Sequence, residues 1–393
     1  MMIRFSISRR SMLLILHPVF ALTAVADAIT GPMLPSLARS FHLSDSESGL
    51  LFFYIFSGMA IGALLCRGNY ARVLMSGLFA LTVACFCFPW ISRPVLHPFA
   101  FFFGASVGAP MTAVSLFAGR NYPIRRASVL TVLNFSWSAG AMLAPLMVAR
   151  LIAVSSWRTA FIVLACAAGL ATLVVSTTIR DTNETARETL ETKGLLNLRL
   201  IVVFALFFLL EVGMETMFGA WISTYVLRVT GTSFALAAAA TAIYWTGFLV
   251  SRGLSSLLLI HVSPGHLLWL SVPVALGASV LLIESHSPRS LTLAILLLGI
   301  ALAPIFPVGL AAFFDRARHS SDTRFVLALS GIGASFFPWL VGWVSFGAAS
   351  LRSGLVVGPM TLLVMTALLP FIAVRKAAPA AVRDSSDANP RKV

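Results

Sequence analysis

The chain has 393 residues, of which 59% are hydrophobic and 11% are charged, and its mean hydropathy is +0.93. Soluble domains carry about 25% charged residues, so this composition excludes an ordinary soluble protein. The formal net charge of +14 is spread along the chain rather than gathered on one domain, which favours basic loops at a membrane over a nucleic-acid partner.

Apolar runs recur along the whole sequence and are long enough, at about 20 residues each, to cross a bilayer. A chain in lipid must satisfy its backbone hydrogen bonds internally, and these runs are too long for barrel strands. We therefore predict an all-α integral membrane protein with twelve transmembrane helices. The predicted spans are 12–37, 48–66, 73–91, 97–118, 128–152, 157–179, 199–227, 236–256, 264–283, 290–312, 323–346 and 351–373.

The longest polar interruption divides these spans into two sets of six. The first six-helix bundle is predicted at residues 1–179, and the interruption at 180–198 is predicted to be a cytoplasmic loop between bundles. A second six-helix bundle is predicted at 199–373. The polar remainder, 374–393, is predicted to be a disordered cytoplasmic tail.

In the first bundle, an acid and a polar-aromatic pair stand inside predicted spans. Asp27 is about 24 Å into the first span at about 1.5 Å per residue. Asn134 and Trp137 lie a turn or more inside the fifth span, where a substrate cavity and helix packing explain them equally well. Asp27 is therefore a candidate for ion coupling, and the pair is a candidate for substrate binding.

The seventh span carries two glutamates, Glu211 and Glu215, four residues apart and so on one helix face. A carboxylate at mid-membrane costs about 3 kcal/mol, so it normally faces a cavity or a partner and marks an ion or substrate path. We predict that Asp27, Glu211 and Glu215 gather between the bundles and couple transport to an ion. The alternative is that one acid pairs with a buried cation, for which Arg252 near the inner end of the eighth span is the candidate.

Aromatic residues follow the glutamates along the chain. Trp221 and Tyr225 are four residues apart, and Tyr244 and Trp245 lie in the next span. Aromatic faces stack on a sugar ring, while amides and acids accept its hydroxyls, within a cavity that is mostly apolar. The predicted substrate-binding residues are Asn134, Trp137, Glu211, Trp221, Tyr225, Tyr244 and Trp245.

The basic residues predict the orientation of the chain. With both termini in the cytoplasm, most Lys and Arg residues fall in the inner segments, as the positive-inside rule requires. We therefore expect a multi-pass protein of a bacterial-type inner (plasma) membrane. The basic residues left outside are Arg39, Arg93, Arg150, Arg158, Arg228, Arg289 and Arg352.

An internal repeat is visible as residue pairs separated by nearly constant offsets. Asp27 and Gly31 match Glu215 and Gly219, and further matched pairs follow in the same order in later spans. Many transporters are built from duplicated halves, so the order of the matches predicts a six-plus-six tandem repeat. The further pairs are Gly58 with Gly247, Gly140 with Gly333, Pro145 with Pro338 and Arg158 with Arg352.

The loop between the second and third spans has the sequence GALLCRGNY from Gly62 to Tyr70. It resembles the G-x-x-x-D-R-x-G-R-R motif of the major facilitator superfamily at the glycine and at Arg67, with Cys66 in place of the acid. The resemblance implies two six-helix bundles around a substrate cavity that opens alternately to each side. It also implies gating or structural roles for Gly62 and Arg67. A gating or structural role is expected for Arg252 as well, because it is the candidate cation partner of a buried acid.

The block E-V-G-x-E-x-x-x-G-x-W-I-x-x-Y from Glu211 to Tyr225 is similar to the fucose/galactose–proton symporter family and its sodium-dependent glucose transporter branch. Asp27 and the stretch 134–140 are similar too. By this resemblance Asp27 is the first-span acid of the proton path, and Glu211 is the seventh-span acid at the sugar site. The fourth span departs from the fucose symporters, because it has no acid and Ser115 is its nearest polar candidate.

Together these observations predict a secondary active transporter in which a sugar or similar small polar solute enters with a proton or a sodium ion. The alternative is a proton-coupled efflux antiporter for lipophilic compounds. An enzyme is not expected, since no HExxH, GxSxG or clustered nucleophile and base occurs. We expect no cofactor or metal site beyond the coupling ion, and a functional monomer whose partners are the small-molecule substrate and the lipid bilayer.

Overall fold

The computed structural model describes residues 9–122, 126–179, 198–259, 261–314, 316 and 320–373. These residues are almost entirely helical, and no strand occurs among them. The helices are α1 (Arg9–Ala28), α2 (Thr30–Phe41), α3 (Asp45–Leu64), α4 (Tyr70–Cys87), α5 (Leu96–Asn121), α6 (Arg126–Val154), α7 (Trp157–Thr178), α8 (Leu198–Thr230), α9 (Phe234–Leu258), α10 (Pro264–Glu284), α11 (Pro288–Leu302), α12 (Ile305–Phe314), α13 (Ser320–Gly347), α14 (Leu351–Leu355) and α15 (Val357–Ile372).

Twelve helical segments of the described chain are long and apolar enough to cross a membrane, which confirms the predicted all-α multi-pass fold. Three of these spans consist of two helices each: α1 with α2, α11 with α12, and α14 with α15. We call α1–α7 the first half and α8–α15 the second half. The predicted loop at 180–198, apart from Leu198, and the predicted tail at 374–393 lie outside the described residues.

The breaks within three spans have a common cause in proline. α1 ends at Ala28 because Pro32, four residues later, has no N–H for the Ala28 carbonyl and its ring would clash with that oxygen. The tenth and twelfth spans break shortly before Pro307 and Pro359. The first predicted span, 12–37, is thus present as one membrane span, Met12–Phe41, that bends where α1 gives way to α2. The break leaves Asp27 at the end of α1.

Glycine allows the helices within each half to approach closely. A Cβ atom added at Gly58 of α3 would lie 2.1 Å from the carbonyl oxygen of Phe101 in α5. The matched glycine of the second half, Gly247 of α9, makes the corresponding approach, with a Cβ 2.8 Å from the carbonyl oxygen of Leu296 in α11. The α3–α5 contact of the first half thus has its counterpart in the α9–α11 contact of the second.

A second pair of matched glycines gives the same result. A Cβ at Gly140 of α6 would lie 2.2 Å from the carbonyl oxygen of Ala21 in α1. A Cβ at Gly333 of α13 would lie 1.9 Å from the carbonyl oxygen of Leu209 in α8. Helix pairs matched by the sequence repeat are therefore packed in the same way. Small residues at such interfaces let backbones make the van der Waals contacts that hold helices together in lipid.

The two halves meet at a third pair of glycines. Gly31 of α2 faces Gly219 of α8, and a Cβ on Gly31 would lie 2.1 Å from the Gly219 carbonyl oxygen. One turn away, the Ser223 hydroxyl donates a hydrogen bond of 3.2 Å to the Pro32 carbonyl. The backbones of α2 and α8 are thus in direct contact where the first span breaks.

Helix α13 is bound to α8 through the backbone around its proline. Pro338 cannot donate to the carbonyl of Ala334, and the hydroxyl of Thr216 in α8, which donates to the Val212 carbonyl at 2.8 Å, shares its hydrogen with the Ala334 oxygen at 3.3 Å. The indole N–H of Trp221, also in α8, donates to the Pro338 carbonyl at 2.9 Å. These bonds let the proline stand inside a membrane helix without an unpaired carbonyl at Ala334.

We expect the glycine contacts to be required for stability. A Gly58→Val variant should have a lower melting temperature than the wild type, because the valine must separate α3 from α5, and overpacking costs about 1–3 kcal/mol. The control is Gly277→Val, since a Cβ at Gly277 meets nothing within 4 Å. Thermal unfolding of both purified variants in detergent measures the difference. An equal loss of stability in the two would contradict the packing role of Gly58.

Candidate functional site

A small cavity lies between the two halves at the break in the first span. The space open to the centres of water molecules is about 40 Å³. That is room for about three waters and less than the roughly 300 Å³ of an ordinary ligand pocket, so the two halves leave little space between them at this site. Its walls are Asp27, Ala28, Thr30, Gly31, Phe52, Phe56, Trp137, Glu215, Thr216, Gly219, Ala220 and Trp245.

Two carboxyl groups from opposite halves face this cavity. Asp27 comes from the last turn of α1, and Glu215 comes from the middle of α8. The two are near enough to interact electrostatically. Of the three acids predicted to gather between the bundles, Asp27 and Glu215 line this cavity. A cavity bounded by one acid from each half can hold a cation between the halves.

Glu211 lies one turn from Glu215, behind the cavity wall. Its side chain is fully buried, with 0% exposure, and neither carboxyl oxygen has a hydrogen-bond partner among the described residues. An unpaired polar group in such a place costs several kcal/mol when charged, so buried carboxyls are normally paired or functional. Glu211 interacts electrostatically with Glu215 and Arg252. It therefore belongs to the same charged cluster although it does not line the cavity.

Arg252 of α9 connects this cluster to the other half. Its Nη2 lies 3.9 Å from a carboxyl oxygen of Glu215, and its Nη1 donates to the hydroxyl of Ser138 in α6 at 3.0 Å. The guanidinium also stands over the ring of Phe248 at 4.8 Å. The buried cation that the sequence suggested as a partner is thus beside Glu215, and it contacts both halves.

Aromatic rings form much of the cavity wall. The rings of Trp137 and Trp245 meet edge to face with centroids 5.8 Å apart, one from each half. Phe52 and Phe56 of α3 stack at 6.3 Å on another side. The indole nitrogen of Trp245 is buried and has no hydrogen-bond partner among the described residues. The cavity is therefore bounded by aromatic rings and two carboxyls, and one residue of its wall, Trp245, has a buried N–H without a partner among the described residues.

Trp221 and Tyr225 do not line the cavity, contrary to the sequence-based prediction. Trp221 is six residues from Glu215, which is about 240° around the helix, so it points elsewhere. Its indole bonds to Pro338, and the Tyr225 hydroxyl donates to the carbonyls of Leu282 and Ile283 in α10. Both side chains hold α8 to its neighbours. Gly219, one turn from Glu215, takes the cavity-facing position.

Asn134 and Tyr244 also lie outside the cavity wall. Asn134 is exposed, and its amide donates to the Leu130 carbonyl of its own helix at 2.9 Å. Tyr244 is fully buried, and its hydroxyl donates to the backbone carbonyl of Glu215 at 3.3 Å. Tyr244 thus supports the helix that carries the acid. The cavity wall contains three of the predicted site residues discussed here, Trp137, Glu215 and Trp245. It also contains Phe52 and Phe56, which the sequence analysis did not single out.

The two residues of the loop motif stand apart from the cavity. Gly62 packs α3 against α5, since a Cβ there would lie 2.3 Å from the Ala105 carbonyl oxygen. Arg67 is exposed in the connection between α3 and α4. Cys66, which replaces the motif's acid, is buried.

Contacts between the halves close one end of the bundle. Asp45 at the start of α3 accepts bonds from both terminal nitrogens of Arg228 in α8, one of 2.8 Å, and a further bond from Ser345 in α13. Nearby, the backbones of Gly49 and Gly342 touch, because a Cβ on Gly342 would lie 2.9 Å from the Gly49 Cα. An ion pair and a glycine contact thus seal the same end.

This arrangement of helices agrees with a known family. A family model described as Major Facilitator Superfamily matches residues 16–321. The chain belongs to the major facilitator superfamily. As a transporter of this superfamily, it binds small-molecule substrates within the membrane. The expected resemblance to the superfamily is thereby confirmed.

Similar proteins include sugar transporters of the superfamily. The "Sodium-dependent glucose transporter 1A" of Mus musculus is 23% identical over 379 residues, covering 83% of this chain and 88% of the relative. The crystal structure of a D-xylose-proton symporter has a TM-score of 0.74 at 14% identity, covering 92% of this chain and 97% of that one. A bacterial homologue of the human lysosomal transporter Spinster, inward-facing and occupied, has a TM-score of 0.71 at 18% identity, with coverages of 93% and 96%.

We expect the contact of Asp45 with Arg228 to hold its end of the transporter closed. Asp45→Asn should increase the maleimide labelling rate of a cysteine placed at Ala220, in a chain without its own cysteines, by about fivefold, the population change given by ~1 kcal/mol. The control is Glu47→Gln, because Glu47 pairs with Arg93 inside the first half at 2.7 Å. Exchanging the charges, with Asp45→Arg and Arg228→Asp together, should restore slow labelling. Equal rates in all four chains would contradict the role.

Proposed function

We propose that this chain is a secondary active transporter that carries a sugar in symport with a proton or a sodium ion by alternating access. The observation that carries the proposal is the meeting of Asp27 and Glu215, one from each half, at one small cavity. Two of the similar proteins are a sodium-dependent glucose transporter and a D-xylose-proton symporter, and the cavity has groups suited to both a sugar and a cation.

The geometry gives a physical reason for coupling. Closing the halves brings two carboxyls together, and two like charges at short range in a low dielectric repel strongly. A bound proton or sodium ion removes this repulsion, so the cation binds the closed state better than an open one. A ligand shifts a conformational equilibrium only by such a difference in affinity. Ion binding would therefore favour the closure that carries the sugar across.

The aromatic walls support a sugar as the cargo. Trp137 and Trp245 present ring faces from the two halves, and Asp27 and Glu215 can accept hydroxyl hydrogens. When the halves separate, the same residues would line a wider space. The two carboxyls and the placed aromatic rings favour a polar cargo over the alternative of a lipophilic cargo for efflux.

The same proposal includes an orientation. The basic residues favour cytoplasmic termini in a plasma membrane of the bacterial type, so the end sealed by Asp45 and Arg228 would face outward. In that orientation the transporter would be closed to the outside, with the sugar and its cation released inward.

Sugar-linked ion flux in proteoliposomes tests the function. The lumen should acidify when a transported hexose is added outside at constant sodium, if the ion is a proton. If the ion is sodium, uptake of labelled hexose should instead depend on an inward sodium gradient, with no change in internal pH. A transporter that carries no sugar under either gradient would contradict the proposal.

We expect Asp27→Asn and Glu215→Gln each to abolish accumulation while sugar exchange continues. Removing the charge removes the cation-dependent step, and a wild-type chain coupled to one proton should accumulate sugar about tenfold under ~1 pH unit. Accumulation and counterflow of labelled hexose are measured in the same vesicles. The control is Glu284→Gln, since Glu284 is exposed at the end of α10. Normal accumulation by either variant would remove that acid from the coupling site.

A further inference from the structure

We propose that the preferred cargo of this cavity is an amino sugar, bound by its ammonium group between Asp27 and the aromatic walls. The inference rests on the proposed sugar transport and names the cargo more closely. It follows from three independent features of the site: an excess of acids, aromatic faces on several sides, and one unused hydrogen-bond donor.

Acids outnumber basic groups around the cavity, so the site favours a cargo that carries a positive charge. Glu215 interacts electrostatically with both Asp27 and Glu211. Arg252 is the cation that partly offsets the charge of these acids. Tyr244 is the other titratable group of this cluster. Arg252 lies 3.9 Å from Glu215, and Asp27 lines the cavity together with Thr30 and Gly31. A positively charged cargo would be held there, and an anionic one repelled.

Aromatic rings suit the same cargo. Phe52, Phe56, Trp137 and Trp245 line the cavity from three helices, and an ammonium group over such rings is attracted to their faces. The same kind of contact occurs beside the cavity, because the Cζ atom of Arg252 lies 5.7 Å from the ring centroid of Trp137. Carboxyls and aromatic faces around one small space are a recurrent arrangement for binding ammonium groups.

The unpaired donor is the reason to expect a sugar, and not only a positive charge, on the cargo. Trp245 belongs to the cavity wall, its indole nitrogen is buried, and among the described residues nothing accepts its hydrogen. A cargo oxygen that reached this N–H when the halves separate would give it the hydrogen bond that it lacks. A ligand with a hydroxyl or ring oxygen close to an ammonium fits both demands. A bulky lipophilic cation satisfies the acids but leaves the indole without a partner.

The cation on the cargo has a consequence for coupling. An ammonium group that pairs with a carboxylate takes a place that a coupling ion would otherwise fill. Fewer coupling ions should therefore enter with each amino sugar than with each neutral sugar. This difference is measurable as the ratio of ion to sugar entering proteoliposomes.

The test compares D-glucosamine, N-acetyl-D-glucosamine, D-glucose and tetraphenylphosphonium. N-acetylation keeps the sugar and removes the amine's charge. We expect D-glucosamine to bind at least about tenfold more tightly than D-glucose, since ammonium–aromatic and ammonium–carboxyl contacts act together, and N-acetylation to remove the advantage. Equal affinity for D-glucosamine and D-glucose would overturn the inference and leave sugar transport standing. Binding of tetraphenylphosphonium alone would overturn both, as would binding of none of the four.

Variants of Trp137 distinguish a role of its aromatic ring in binding from a role in the fold. Trp137→Leu should lower the preference for D-glucosamine over D-glucose about fivefold, whereas Trp137→Phe should retain most of it, because phenylalanine keeps an aromatic face. Trp343→Leu is the control, since Trp343 is 57% exposed on α13. A structural role alone would weaken both sugars equally. An unchanged preference in Trp137→Leu, with D-glucose affinity intact, would contradict the role of the ring.

Discussion

The rest of this structure depends on the direct backbone contact between Gly31 and Gly219. Lipid provides no hydrophobic force to press helices together, so close van der Waals contact must hold them, and only glycine lets two backbones touch. The break before Pro32 presents this part of α2 to α8. Because the contact is immediately beside Asp27 and one turn from Glu215, it brings acids of the two halves to one cavity.

The cluster around that contact is electrostatically unbalanced. One guanidinium faces several carboxyls, and it is shared between Glu215 and the hydroxyl of Ser138 in the other half. Glu211 has no donor at all among the described residues. A soluble protein would place such groups in water, where their cost is small. Within a membrane no water offsets this imbalance, and the proposed coupling to a cation rests on it.

The fold and the positions of the acids could be predicted from the sequence. The directions of most aromatic side chains could not. Charges in apolar spans are rare, so Asp27 and Glu215 stood out, and the matched glycines identified contacts that the structure contains. Phenylalanine occurs thirty times, so no local signal separated Phe52 and Phe56 from the lipid-facing rings. Trp221 and Tyr225 follow the acids in sequence, yet the 3.6-residue turn carries them to another face, where neighbouring backbones need donors.

The hydrogen bonds around Pro338 make α8 and α13 a mechanical pair. The carbonyl freed at Ala334 takes its partner from Thr216, and in lipid no water stands ready to replace it. A change in the curvature of α13 would therefore be accompanied by a rotation of α8, because these hydrogen bonds join the two helices. Since α13 also touches α3 at Gly342, a small tilt of the glutamate-bearing helix would be transmitted to the distant seal between the halves.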